Sequence, residues 1–205
     1  MHIAEGILSA PVLAGGAVAA GAGVYAGLRA LDDEAIPKTA LLTAAFFVAG
    51  LVHVPLGVGS VHLVLNGLLG MILGWTAFPA ILVALTLQTV LLRYGGLTTL
   101  GVNTVVMAVP AVVSYYLFVP FLRRRPRPAL VFAFGCAAGA AGIAFGALLA
   151  SGALALSGRA FYGVAALFFA AHAPLMVVEG IITGGLLLYV WRLKPELFLE
   201  QERTP

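Results

Sequence analysis

Long apolar runs follow one another along the chain, and only short polar segments separate them. Their lengths are close to the roughly 20 residues that a helix needs to cross a bilayer. The stretch 159–171 is also apolar and fits either a short interfacial helix or an extension of the last run. The pattern predicts seven membrane-spanning helices, at about 7–28, 37–53, 62–75, 77–93, 103–122, 129–156 and 172–193.

Composition supports the hydropathy pattern. Of the 205 residues, 62% are hydrophobic and 9% are charged. Soluble domains are roughly 45–50% apolar and about 25% charged. A soluble enzyme, a disordered chain and a nucleic-acid-binding protein are therefore excluded. We expect one polytopic, all-α membrane domain over residues 1–205.

The basic residues are distributed unevenly between the two predicted sides of the membrane. Cytoplasmic segments of membrane proteins are enriched in Lys and Arg. With seven spans and the N-terminus outside, the outer segments contain only Arg93 and Arg159. We therefore expect an outer N-terminus and a cytoplasmic C-terminus. The inner segments would contain Arg29, Lys38, Arg123, Arg124, Arg125, Arg127, Arg192, Lys194 and Arg203.

The N-terminus does not resemble a secretory signal, which opens with positive charge. The first basic residue is Arg29, and an acid, Glu5, comes near the start. We therefore expect an uncleaved N-terminus. The single cysteine, Cys136, excludes an intrachain disulfide and a thiolate metal cluster.

Glycines recur at four-residue spacing, which permits close approach between helices. The pattern predicts packing inside the helix bundle, with a face for another membrane subunit as the alternative. The pairs are Gly23/Gly27, Gly135/Gly139 and Gly142/Gly146.

The sequence lacks the motif for ATP hydrolysis and gives little support for an intramembrane hydrolase. A Walker A loop requires glycines before its Lys-Thr pair, and the segment around Lys38-Thr39 has none. The chain is therefore not expected to hydrolyse ATP itself. An intramembrane hydrolase built on Ser60 and His62 is a weak alternative, because a two-residue spacing on a helix does not place a base against its nucleophile.

A histidine at position 2 creates a candidate metal chelate. The α-amine of Met1, the peptide nitrogen of His2 and its imidazole Nδ1 can bind one ion through a five-membered and a six-membered ring. Three nitrogens in one plane favour Ni(II) and Cu(II). A fourth nitrogen could come from His53, His62 or His172, each predicted near the outer face.

Three segments together resemble the CbiM/NikM proteins, the substrate-capture (S) components of energy-coupling factor (ECF) importers for cobalt and nickel. They are Met1-His2-Ile3-Ala4-Glu5-Gly6, Gly59-Ser60-Val61-His62 and the loop Gly95–Asn103. The resemblance covers essentially the whole chain. It implies an extra N-terminal helix before a six-helix core, with the N-terminus tucked into the outer half. It also implies metal ligands at Met1, His2 and His62.

The resemblance further implies partners and a location. These are a transmembrane coupling (T) subunit, cytoplasmic ATPase subunits, small accessory membrane subunits, and the prokaryotic plasma (inner) membrane. Ni²⁺ or Co²⁺ would be the transported substrate, with no organic cofactor; planar nitrogen geometry favours nickel. The alternative is an S component or a membrane scaffold for a non-metal solute.

Polar residues near the predicted outer ends are candidates to orient the ligating imidazoles, which usually donate their second nitrogen to a partner. In the last span, Glu179 lies two helical turns after His172, which predicts a structural pair between them. The orienting candidates are Ser60, Asn66, Gln88, Thr98, Thr99 and Asn103.

Overall fold

The computed structural model describes residues 2–56 and 59–199, and the side chains of all of these except 53–56, 59–61 and 199. The helices are α1 (Ala10–Arg29), α2 (Ile36–Ala49), α3 (Asn66–Leu73), α4 (Ala77–Leu92), α5 (Leu100–Leu122), α6 (Pro128–Ser157), α7 (Tyr162–Ala171), α8 (Ala173–Leu193) and α9 (Glu196–Leu199). Two strands, β1 (His53–Leu56) and β2 (Gly59–His62), lie between α2 and α3.

Several helical stretches are long and apolar enough to cross a membrane, so the chain is a multi-pass membrane protein. Within the described residues there are five of them. Helix α2 has 14 residues and is not among them; at 1.5 Å per residue it is about 21 Å long. The five stretches are Ala10–Arg29, Asn66–Leu92, Leu100–Leu122, Pro128–Ser157 and Arg159–Leu193.

The stretch Asn66–Leu92 does not cross the molecule in one direction. A 3₁₀ turn at Gly74–Thr76 interrupts it, where the sequence predicts the boundary between the third and fourth spans. His62 precedes α3 and Gln88 lies near the end of α4, yet both side chains reach His2. Helices α3 and α4 therefore run in opposite directions.

The helices connect two ends of a bundle. At one end, which we call the N-terminal end, the Ser9 amide donates to Ser157 Oγ at 3.1 Å, and the Ile3 amide donates to Asn103 Oδ1. At the other, which we call the basic end, lie the connections 30–35, 74–76 and 123–127 together with α9. Phe198 of α9 is buried there in a cluster with Leu122.

Glycines allow the helix backbones to touch. A Cβ added to Gly135 would lie 2.7 Å from the Cα of Gly184, which places α6 directly on α8. A Cβ on Gly27 would lie 2.5 Å from the Trp75 carbonyl oxygen. These members of the predicted small-residue pairs are used inside the bundle, as their spacing indicates.

Two regions refine the sequence-based picture. The segment expected as a loop between the second and third spans contains an antiparallel hairpin, in which His53 is opposite His62. Apart from this short hairpin, the regular elements of the described chain are helices, as the all-α prediction has it. The ambiguous stretch forms a 3₁₀ turn and α7, which packs along α6 through the Ser151 hydroxyl and the Ala165 carbonyl, and leads directly into α8.

Candidate metal centre

Two histidines that are distant in sequence meet at the N-terminal end of the bundle. His2 lies in the segment before α1, and His62 ends β2. The hairpin and the N-terminal segment bring His2 Nδ1 to 3.1 Å from His62 Nε2, with ring centroids 4.9 Å apart. Both residues are half-buried.

The second nitrogen of each ring faces an acceptor. His2 Nε2 lies 2.9 Å from Gln88 Oε1, and Gln88 Nε2 in turn donates to the Phe47 carbonyl at 3.3 Å, which fixes the amide orientation. His62 Nδ1 lies 2.9 Å from the Leu63 carbonyl oxygen. Since both outer partners only accept, we assign the ring protons to His2 Nε2 and His62 Nδ1.

With these tautomers, the two nitrogens that face each other both present lone pairs. Such an arrangement is repulsive unless a cation lies between them. Metal–imidazole bonds of about 2.0–2.1 Å place two ligands at right angles about 2.9 Å apart. The observed 3.1 Å separation is close to this value, so the two nitrogens could occupy neighbouring positions around one ion.

Burial keeps the His2 imidazole neutral. Burial first, and the nearby N-terminal ammonium second, lower the pKa of His2 from 6.5 to about 3, although its hydrogen bond to Gln88 acts in the opposite direction. A neutral imidazole is the form that binds a metal ion. The His2 imidazole can therefore bind a metal ion without first losing a proton.

The Gly95–Asn103 loop and the start of α5 hold the N-terminal segment. The Asn103 carboxamide accepts from the Ile3 amide at 2.9 Å and donates to the Ile3 carbonyl at 3.1 Å. The Thr99 hydroxyl donates to the same carbonyl at 2.9 Å. These contacts satisfy both main-chain groups of the residue that follows His2, and thereby position the candidate chelate.

Glu5, for which the sequence pattern predicts no role at the site, extends this anchor. Its Oε1 accepts from the Thr98 amide at 3.1 Å. A Cβ on Gly96 would lie 1.8 Å from Glu5 Cγ, so a larger residue here would displace the Glu5 side chain. The signal was present in the sequence, since Glu5 and Gly96 lie in two of the motifs that carry the family resemblance.

The remaining candidates are placed as follows. Met1 and the side chains of His53 and Ser60 lie outside what the structure describes. Thr98 contributes its amide to the contact with Glu5. Asn66 does not orient either histidine; its carboxamide donates to the Met107 and Gly142 carbonyls and joins α3 to α5 and α6.

The predicted pair between His172 and Glu179 is wrong. Glu179 Oε1 accepts from the amides of Val64, at 2.5 Å, and Leu65. His172 Nδ1 donates to the Phe168 carbonyl at 2.7 Å, one turn earlier in its own segment. The two side chains lie in one helical segment, but main-chain groups provide closer partners for each.

Side chains alone do not complete a metal site. Among the residues that the structure describes, no three His, Cys, Asp or Glu side chains come together in a way that could hold a metal ion. A metal at His2 and His62 therefore requires further ligands, such as main-chain nitrogens.

Comparisons with known proteins agree with this architecture. The family model CbiM, cobalt uptake substrate-specific transmembrane region, matches residues 2–197. A Haemophilus influenzae protein described as a metal transport protein is 44% identical over 98% of both chains. The fused nickel transport protein NikMN of Rhodobacter capsulatus is 31% identical over 100% of this chain and 65% of its own.

A solved structure supports the same relationship. The crystal structure of a transition metal transporter superposes with a TM-score of 0.79 at 25% identity, and the match covers 95% of this chain and 94% of that one. A membrane component of cobalt or nickel uptake accounts for the family match, the fold and the apolar spans together. The chain belongs to the CbiM family of cobalt uptake substrate-specific transmembrane proteins.

Proposed function

We propose that this chain is the substrate-capture subunit of an ECF-type importer and that it binds Ni²⁺ or Co²⁺ in an all-nitrogen site. The ligands are the Met1 amine, the His2 amide nitrogen and Nδ1, and His62 Nε2. The observation that carries the proposal is the 3.1 Å approach of His2 Nδ1 to His62 Nε2, each with its other nitrogen facing an acceptor.

Chelate chemistry supplies the other two ligands. The Met1 amine and the His2 amide are covalently joined to the His2 imidazole, so a metal on Nδ1 closes a five- and a six-membered ring with them. His62 Nε2 takes the fourth position, opposite the His2 amide nitrogen. Planar coordination by four nitrogens favours Ni(II) over Co(II), and we propose nickel as the preferred substrate.

Charge placement supports an orientation with the metal centre outside and the C-terminus in the cytoplasm. Arg123, Arg124, Arg125 and Arg127 lie at the basic end, opposite the histidines, as expected for a cytoplasmic face. The N-terminus and the α9 end lie at opposite ends of the bundle, which fits an odd number of crossings. We propose seven, with α2 and α3 as the shorter ones.

Energy for import must come from other subunits, because the sequence contains no Walker A motif. A coupling membrane subunit, cytoplasmic ATPases and small accessory subunits complete the proposed importer. The fused nickel transport protein of Rhodobacter capsulatus, of which this chain matches 65%, is consistent with a further membrane component joined to such a subunit.

The experiment is calorimetric titration of Ni²⁺ into detergent-solubilised protein that carries its native N-terminus. We expect one ion per chain and a loss of at least 100-fold in affinity for His62→Ala. The matched control is His172→Gln, since His172 is another buried histidine whose partner is the Phe168 carbonyl. This variant should bind as the wild type does.

Two results would contradict the proposal. One is wild-type protein that binds no Ni²⁺ or Co²⁺, which would favour an S component or scaffold for a non-metal solute. The other is equal binding by wild type and His62→Ala. Competition between Ni²⁺ and Co²⁺ in the same titration tests the metal preference.

A further inference from the structure

A buried carboxylate on α8 connects to the candidate ligand His62 through a single peptide group. Glu179 is 1% exposed, and its Oε1 accepts from the Val64 amide at 2.5 Å. The carbonyl at the other end of that same peptide group belongs to Leu63, and it accepts from His62 Nδ1 at 2.9 Å. The hydrogen bonds therefore form a continuous series from Glu179 to His62.

From these contacts we infer that Glu179 is a positioning residue for the metal centre, a role that rests on the proposed function. By accepting a hydrogen bond from the Val64 amide, Glu179 fixes the orientation of the Leu63–Val64 peptide and the direction of the Leu63 carbonyl. That carbonyl sets both the tautomer and the tilt of the His62 ring. Ligating histidines in metal sites are commonly held by such a partner on their second nitrogen.

The local backbone explains why one oxygen can hold two amides. Leu65 adopts a left-handed conformation, with φ 55° and ψ 20°, immediately before α3 begins. The chain turns there, so the consecutive amides of Val64 and Leu65 converge on Glu179 Oε1. Successive amides arranged in this way form a concave anion-binding surface.

Hydrogen bonds in series strengthen one another in a low-dielectric interior. An acceptor on the Val64 amide polarises the peptide and makes the Leu63 carbonyl a better acceptor. The stronger carbonyl draws the Nδ1 proton of His62 and increases electron density at Nε2. Glu179 therefore affects both the orientation of the ligand and its donor strength.

The contact also joins distant parts of the fold. Glu179 lies on α8, whose backbone packs against α6 through Gly135 and Gly184. His62 lies at the N-terminal end, as the last residue of the hairpin. A shift of α8 relative to α3 would move the Leu63–Val64 peptide and, with it, the His62 ring.

The test compares Glu179→Met and Glu179→Gln with wild type, using Ni²⁺ alone as the probe. Methionine fills the space without an acceptor, whereas glutamine keeps an acceptor oxygen. Affinity is measured by calorimetry, and the ligand field by the visible d–d absorption of bound Ni(II), which a purely structural role would not move. The matched control is Thr183→Val, a nearly isosteric change one turn further along α8 at another fully buried position.

We expect affinity to fall about 10-fold or more for Glu179→Met, the usual size for loss of a ligand's partner. Glu179→Gln should give an intermediate affinity and a smaller shift of the d–d band. Thr183→Val should match wild type in both. Wild-type affinity and an unshifted band in Glu179→Met would overturn the inference.

If Glu179→Met does not fold, Glu179→Gln decides, and a wild-type band and affinity in that variant overturn the inference. Failure of the proposed function is separate from these outcomes. It would appear as absent Ni²⁺ binding by wild type, or as undiminished binding by His62→Ala, before any Glu179 variant is considered.

Discussion

His2 Nε2 lies 2.9 Å from Gln88 Oε1, near the end of α4. This contact assigns the proton to Nε2 and leaves Nδ1 as the nitrogen that faces His62. We expect Gln88→Leu to weaken Ni²⁺ binding about 10-fold, the usual cost of losing such a partner. Gln88→Glu keeps an acceptor and should bind more tightly than the leucine variant.

The control for this prediction lies on the same helix. The hydroxyl of Thr86 donates to the Leu82 carbonyl within α4, so Thr86→Val removes a polar group without touching the histidine. It should bind Ni²⁺ as wild type does. Equal affinities for Gln88→Leu and wild type would show that Gln88 does not orient His2.

Asn103 provides a second prediction, because it satisfies both main-chain groups of the buried residue Ile3. Asn103→Leu leaves the Ile3 amide unpaired, which costs about 1–3 kcal/mol, while the Ile3 carbonyl keeps the Thr99 hydroxyl as a donor. We expect a lower melting temperature and weaker Ni²⁺ binding. Thr104→Val, adjacent on α5 and bonded within its own helix, should change the binding little. Unchanged binding in Asn103→Leu would argue against an anchored N-terminal segment.

The register of the N-terminus offers a third test. A Leu-Pro pair inserted between Met1 and His2 separates the amine from the imidazole, and the proline nitrogen has no proton to lose, so no continuous chelate of deprotonated amides can replace the original one. Ni²⁺ binding should fall by at least 100-fold. An alanine inserted between Arg125 and Pro126, at the basic end, is the control and should bind normally. Full-strength binding by the N-terminal insertion would exclude the amine–amide–imidazole chelate.

Acid should destabilise the metal-free protein through His2. The pKa of this imidazole is lowered to about 3 by burial and by the N-terminal ammonium, whereas the unfolded chain has the usual value of about 6.5. Between these values the unfolded state binds more protons, so stability decreases as pH falls through this window. His2→Gln should reduce that slope in melting curves recorded between pH 6.5 and 4. An identical slope in the two proteins would show that His2 does not cause the loss of stability in acid.

The proposed orientation can be tested with single cysteines in a Cys136→Ala background. Arg159 follows α6 at the N-terminal end, and Arg124 lies at the basic end. In intact cells a membrane-impermeant maleimide should label Arg159→Cys readily, and Arg124→Cys only after permeabilisation. The reverse pattern would place the metal centre on the cytoplasmic side.

Several properties follow from the sequence alone, for local physical reasons. Hydropathy and the scarcity of charge predict a multi-pass membrane protein, because long helices with few charged side chains are stable in a bilayer. The chelate at His2 depends only on covalent bonds between adjacent residues, so ring size can be counted in the sequence. The Gly95–Asn103 loop carries the family resemblance, which the match to CbiM confirms.

Only the tertiary structure determines which residues far apart in the sequence come into contact. A hairpin, expected as a loop, leads His62 to His2, and the return of α4 brings Gln88 to the same ring. Helical spacing pairs Glu179 with His172, but in the folded chain the amides of Val64 and Leu65 reach the carboxylate instead. Periodicity describes one helix at a time, whereas a buried polar atom takes whichever partner the packing of other segments brings within reach.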